Sequence, residues 1–425
     1  MMGKSIRKGT LGLVGAVLVA LAAACVAPLE PAPLETISEP GVPKQLQSRQ
    51  IIVALAERER PQWAAIAQEL QSRYGLRPVG EFPLTAIGVQ CRVFQVPPDQ
   101  SLEALLARLK ADPRIELAQP NQAFESLQAP ADDPAAGYAA LAYGVKLIGA
   151  DRAWRVSTGR GVPVVVIDTG ADLDHPALRD RGIKTANFVE GGEPSFASDP
   201  HGTAIAGVIS ADPTAGVRIE GVAPDVALTV AKACWYPEPT RAKARCSSWT
   251  LAKAIDFAIN GGARVINLSL GGRPDELLAR LLSAADRRGV TVVAATVEGR
   301  DDPGFPAALD TVIPVIACDP DRRVAWPPWR TLPFIMAAPG VEIVAPAPHR
   351  RYDLLSGSSL AAAHVTGVVA LLVQQEPQRR PDQIREILRA TAQPVTPVSP
   401  SAPLAIGIVD ACAALAGHTP LLACH

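Results

Sequence analysis

Three short runs carry groups that could do chemistry together. The apolar run Val164-Val165-Val166-Ile167 ends in Asp168-Thr169-Gly170. The run Asp199-Pro200-His201-Gly202-Thr203 leads into Ala204, Ile205, Val208 and Ile209 at helical spacing. The run Ser356-Gly357-Ser358-Ser359-Leu360 leads into Val368, Val369, Leu371 and Leu372, again at helical spacing. Each has an ordinary reading alone: a turn carboxylate, a capping histidine, a serine N-cap at Ser358 or Ser359. Together, a carboxylate, an imidazole and a hydroxyl are the parts of nucleophilic acyl transfer. A serine hydroxyl attacks poorly until a base takes its proton. His201 would be that base and would later protonate the leaving amine, while Asp168 would hold the imidazole tautomer. Ser359 would stand at a helix start, where unpaired N–H groups and the dipole favour a developing oxyanion. The remaining histidines fit chemistry less well: His175 lies in a turn, His364 packs in the helix that starts with the serines, and His349, His418 and His425 lie in loop or tail sequence.

Elements must bring these runs together across about 190 residues of chain. From about 145 to 417, apolar strands alternate with amphipathic helices. The strand runs are Pro163–Ile167, Val226–Ala231, Arg264–Leu270, Val290–Ala295 and Val312–Ala317. Helices fall between them at Ser248–Asn260 and Asp275–Arg288. Continuous apolar strands between helices predict an α/β domain, a parallel sheet covered on both faces. In such sheets functional groups gather beyond the carboxyl ends of the strands, which is where Asp168 falls. Upstream, residues 47–125 read as strand (Ile51–Leu55), helix (Gln62–Tyr74), strands (Glu81–Ile87 and Gln90–Gln95), helix (Leu102–Lys110) and strand (Ile115–Pro120), the β-α-β-β-α-β order of a ferredoxin-like α+β domain.

The chain opens on Lys4, Arg7 and Lys8, then the small-and-apolar stretch Leu11 to Ala24, which predicts an export signal over 1–24. Cys25 and a Pro-rich linker, 25–46, follow. The junction resembles a bacterial lipoprotein signal, with Ala22 where such signals usually carry Leu, so lipidation of Cys25 and plain secretion both stay open. The expected location is outside the cytoplasm: secreted, periplasmic or lipid-anchored, with that lipid as the one membrane link. A second linker, Ala-, Asp- and Pro-rich, covers 126–144, and 418–425 is a tail. The chain has 425 residues, 48% hydrophobic and 20% charged, enough for one large domain and a small one. A net charge of -1, without a long basic run after the first ten residues, speaks against nucleic acid as a partner. With 7 cysteines in an exported chain, disulfides are expected. Cys234–Cys246 and Cys412–Cys424 are the pairs to test, whereas Cys91 and Cys318, in apolar strand-like runs, read as buried thiols.

The order Asp168, His201, Ser359, each at a strand end or helix start, resembles that of the subtilisin-like serine proteases, or subtilases. The resemblance covers about 145–417. Gly357-Ser358-Ser359-Leu360-Ala361 stands where the family has Gly-Thr-Ser-Met-Ala. Asn267-Leu268-Ser269-Leu270-Gly271-Gly272 looks like the family's substrate-pairing strand, and Gly304-Phe305-Pro306-Ala307 like the segment near its specificity pocket. Residues 47–125 look like a subtilisin propeptide, a folding assistant and inhibitor. The resemblance implies a serine endopeptidase acting on protein or peptide, with substrate held by Ser269, Leu270, Gly271, Gly272 and Gly304, inhibited by its own propeptide, and with no metal or other cofactor. Calcium has little support, since Ala177 stands where an acidic residue often serves it. The departure that matters lies in Ala294-Ala295-Thr296-Val297-Glu298-Gly299, where the family's oxyanion Asn is replaced by Glu298 or Val297. Glu298, the oxyanion candidate, could donate only when protonated. The rival reading is therefore a weakly active or inactive relative that binds peptide strands. Asp301 and Asp302, near the expected pocket, would favour basic residues unless they are solvated loop.

Overall fold

The computed structural model describes residues 48–127, 129–130, 143–190, 196–212, 214, 219–237, 243–297, 299–300, 302–324, 332–396 and 406–417. The expected signal, Cys25, the Pro-rich linker, Glu298, Asp301, Cys424 and the tail lie outside them. Nine strands form the large sheet, in the order 393–394, 406–408, 335–339, 312–318, 291–295, 265–268, 163–168, 227–232 and 184–187. All neighbours are parallel except the first pair.

Side-chain alternation sorts the central strands into two cores. Val164 and Val166 of Pro163–Asp168, with Val293 and Ala295 of Thr291–Ala295, face one core. Helices Pro200–Ser210 and Ser358–Gln375 fill it. Val165 and Ile167, with Val292 and Ala294, face the other, covered by Ser248–Asn260 and Glu276–Arg287. Both faces of each strand are thus apolar, which is why the sequence shows continuous Val/Ile runs in place of alternation. Ser358–Gln375 is long and apolar enough to cross a membrane, but 89% of it is buried as the central helix.

Residues 50–120 build the expected ferredoxin-like unit, strand order Arg77–Leu84, Val89–Gln95, Gln50–Ala56, Ile115–Pro120. One strand departs from expectation: it runs Arg77–Leu84, not Glu81–Ile87, and 85–88 is the turn. Pro78 and Pro83 are tolerated because this is an edge strand, where a proline can turn its missing N–H away from the ladder. Ile51, Val53 and Leu55 pack under the unit's own helices with Ile66, Leu70, Leu105 and Leu109. The alternate residues Ile52 and Ala54, with Phe82, Leu84 and Val93, belong to the same core as Trp249, Ala252 and Ile255 of the large domain. Phe82 stacks on Trp249 with centroids 5.9 Å apart. Gln119 Nε2 donates to Asp275 (2.8 Å), the N-cap of Glu276–Arg287, and its Oε1 accepts from Leu277 N (3.1 Å). The small domain thereby helps to cap a helix of the large one.

Cys234 and Cys246 are bonded, tying together two short antiparallel strands, Cys234–Trp235 and Arg245–Ser247. Cys412 is also disulfide-bonded. Cys91 and Cys318 are buried free thiols, as expected.

Candidate active site

Asp168 closes its strand at the carboxyl end, and His201 is the second residue of Pro200–Ser210, behind the N-cap Asp199. Both residues are 2% exposed. His201 Nδ1 lies 2.7 Å from Asp168 Oδ1, which also accepts from Thr169 N at 2.6 Å. A carboxylate only accepts, so Nδ1 carries the proton and neutral imidazole keeps a lone pair on Nε2. Nε2 is buried and has no hydrogen-bond partner. It is a base whose acceptor position is unspent.

Neighbouring groups hold this pair in place. His201 N donates to Tyr236 Oη (3.2 Å), and Gly202 N donates to Thr169 Oγ1 (3.0 Å). Burial, and then the nearby Asp168 charge, push the Tyr236 phenol above its usual range, so it stays protonated. Asp199 accepts from Gly170 N (2.7 Å) and pairs with the buried Lys232, the residue opposite Asp168 in the next strand. Two charges are therefore neutralised beside the pair instead of facing it.

Ser359 is the second residue of Ser358–Gln375, so its backbone N–H is among those that have no partner within the helix. The N-cap is Gly357, at φ 148°, and neither serine caps the helix. Ser358 Oγ accepts from Ala317 N (3.1 Å). Ser359 Oγ instead lies 2.5 Å from Leu127 O and 3.1 Å from Ser269 O, two carbonyls that compete for its single proton. A buried chain anchors it: Thr366 Oγ1 donates to Asn267 Oδ1 (2.8 Å), Asn267 Nδ2 to Ser269 Oγ (2.9 Å), and Ser269 Oγ to Ser359 O (3.0 Å). The sequence does not single out Thr366, and shows Asn267 only as part of a strand.

The cleft is filled by this chain's own residues. Ala123–Ser126 is a strand inserted between Arg245–Ser247 and Leu270–Gly272, antiparallel to both. Phe124 is opposite Cys246 and Gly272, and Ser126 is opposite Leu270. Leu127 N then donates to Ser269 O (3.4 Å). Past the serine, Ala129–Pro130 pairs antiparallel with Leu355–Ser356. Four of the expected substrate residues, Ser269 to Gly272, thus line one extended segment. Gly304, at φ 74°, stands close by, its N–H held by Asp302 Oδ1 at 2.8 Å, while Gly272 N donates to Phe305 O at 2.9 Å. Among the described residues no His/Cys/Asp/Glu group could hold a metal ion.

Residues 159–408 match the Subtilase family. This chain is a subtilase. It is 32% identical over 392 residues to the thermophilic serine proteinase of Bacillus sp. (strain AK1), covering 89% of this chain and 94% of that one. It is 31% identical over 258 residues to thermitase of Thermoactinomyces vulgaris, covering 60% of this chain and 89% of that one. The crystal structure of fervidolysin from Fervidobacterium pennivorans shares the fold, with a TM-score of 0.69 at 24% identity over 88% of this chain and 63% of that one. The subtilase therefore stands among the subtilisin-like serine endopeptidases, with a small α+β domain ahead of its catalytic fold.

Proposed function

We propose that Ser359 is the nucleophile, His201 the general base and Asp168 its orienting partner, and that the segment ending at Leu127 is both inhibitor and first substrate. One observation carries this reading: the Ser359 hydroxyl lies 2.5 Å from the carbonyl oxygen of Leu127, the residue that follows a strand paired along both edges. Rotation about χ1 directs Oγ at the carbonyl carbon. His201 Nε2 takes the hydroxyl proton as the Oγ–C bond forms and the carbonyl electrons move onto oxygen. Collapse breaks the C–N bond to residue 128, and the proton on Nε2 goes to the leaving amine. Water, deprotonated by the same nitrogen, then frees the Leu127 carboxylate and restores Ser359. Side chains and water supply every proton and bond, so no cofactor is needed.

The oxyanion is received by the backbone N–H of Ser359 at its helix start. The second donor is the weak point. Val297 has no donor to offer from its side chain, and Glu298 donates only as the neutral acid. In subtilisin, loss of such a donor costs about 2.7–4 kcal/mol, so turnover on the order of 100- to 1,000-fold below a full site is expected. Action outside the cytoplasm fits the Cys234–Cys246 bond.

The test is the full-length chain with and without Ser359→Ala. Wild type should yield a fragment ending at Leu127 and react with a fluorophosphonate at Ser359, while the variant should do neither. If wild type stays intact and unlabelled, the cleft is a peptide-binding seat, a reading that the replacement of the family's oxyanion Asn favours.

A further inference from the structure

The segment bound in the cleft shows what the pocket before the attacked carbonyl accepts. Gly271 and Gly304 form two of its walls. A Cβ placed on Gly271 would lie 2.4 Å from Val297 Cγ2 and 3.2 Å from Leu127 Cδ1. A Cβ placed on Gly304 would lie 2.2 Å from the same Val297 methyl. Real carbon contacts do not come so close, so that methyl touches both glycines across the pocket. The Leu127 side chain shares what is left of the space in front of Gly271. A valine here is stiff, because branching at Cβ leaves it few χ1 states. Its backbone is pinned as well: Val297 N donates to Pro303 O (2.9 Å), and the preceding Thr296 Oγ1 donates to Val315 O (3.0 Å).

We infer that Val297 is a specificity-determining residue, a fixed plug that shortens this pocket to the depth of a branched aliphatic side chain. The substrates are accordingly extended polypeptide segments with leucine or a residue of similar size before the cut bond. An aromatic ring or a long cation at this position would have to displace the Val297 methyl that already fills the space against Gly271 and Gly304. Asp302 offers a cation little, since its carboxylate already receives Gly304 N (2.8 Å) and pairs with Arg300 (3.3 Å). The inference rests on the reading of Ser359 and Leu127 given above, and deepens it.

The full-length chain tests it through its own cleavage after residue 127, followed by mass spectrometry over time. Compared are Leu127→Phe and Leu127→Lys, each with Val297 kept and with Val297→Gly or Val297→Ala. A pocket mismatch of a methylene or more is worth about 10- to 200-fold in rate. Leu127→Phe and Leu127→Lys should each therefore slow cleavage at least about tenfold. Adding Val297→Gly to Leu127→Phe should return cleavage to within about threefold of wild type, with Val297→Ala in between. Cleavage of the Leu127→Phe or Leu127→Lys chain at the wild-type rate would overturn the inference. So would failure of both Val297 substitutions to speed the Leu127→Phe chain while thermal unfolding stays near that of wild type. Absence of any cut in the wild-type chain would instead remove the reading of Leu127 as substrate, and this inference with it.

Discussion

Replacing Phe124 by Ala should loosen the cleft segment, proposed above as the inhibitor, more than any change at an exposed position along it. Phe124 is fully buried, its ring edge set against Gly272 and its centroid 6.1 Å from that of Phe305 at a 50° tilt. Gly272, Phe305 and the paired Cys246 belong to the catalytic domain, so the loss should fall mainly on docking. Burying a phenylalanine is worth about 1.5–3 kcal/mol, and an aromatic pair adds about 0.5–1.5. A loss of about 3 kcal/mol is about a 100-fold weaker hold, at 1.4 kcal/mol per tenfold. The assay is inhibition of peptide hydrolysis by the 48–127 segment, added to protein from which that segment has been removed. Glu125→Ala is the comparison: its side chain is 45% exposed and its pair with Lys243, at 3.7 Å, is a surface one worth about 0–1 kcal/mol. It should shift inhibition by less than about fivefold. Equal shifts for the two variants, or less than about fivefold for Phe124→Ala, would refute the claim that this ring holds the segment.

Two further outcomes follow from buried features. Cys234 and Cys246 are 12 residues apart, and closing a loop of that size stabilises by about 3 kcal/mol in the chain-entropy account; the double serine variant should lose about that much in urea unfolding, and reductant should weaken wild type more than the variant, which keeps the Cys412 disulfide. His364 is buried, with Nδ1 on Leu360 O (2.8 Å), and burial lowers its pKa from 6.5 to about 4. The unfolded chain then takes up a proton that the folded one refuses, so stability should drop by about 3 kcal/mol as pH falls from about 6.5 to about 4, and a His364→Gln chain should lack that part of the slope.

Much of the catalytic fold was legible because a sheet buried on both faces writes itself as unbroken Val and Ile runs, and because Asp168 and His201 sit where such runs stop or helices start. Packing without periodicity was not legible. Leu127 lies at the head of an Ala-, Asp- and Pro-rich stretch that reads as linker, since its pairing depends on edges more than 100 residues away. In sequence Val297 reads only as a replacement for an oxyanion donor, because its contact with Gly271 and Gly304 needs the turn after Thr291–Ala295 in three dimensions. The hydroxyl of Ser359 also points elsewhere than the triad order suggests: with the cleft filled, it meets the Leu127 carbonyl and leaves His201 Nε2 unpartnered.

Between the small domain's last sheet pairing and the strand in the cleft stand only Asn121 and Gln122. Pro120 is registered against Ile51, and Ala123 against Ser247. Both intervening residues are tied down, Asn121 N to Gln50 O (2.9 Å) and Gln122 to Ser248 through both backbone groups. The tether has no slack, and a slip of one residue would turn every side chain to the opposite face. The small domain is thus a gauge. It measures a set length from its own sheet to the serine and presents one peptide bond, whatever residues flank it. On the proposed cut after Leu127, that side chain would govern the rate of cleavage, while the position of the bond is decided at the other end of the strand.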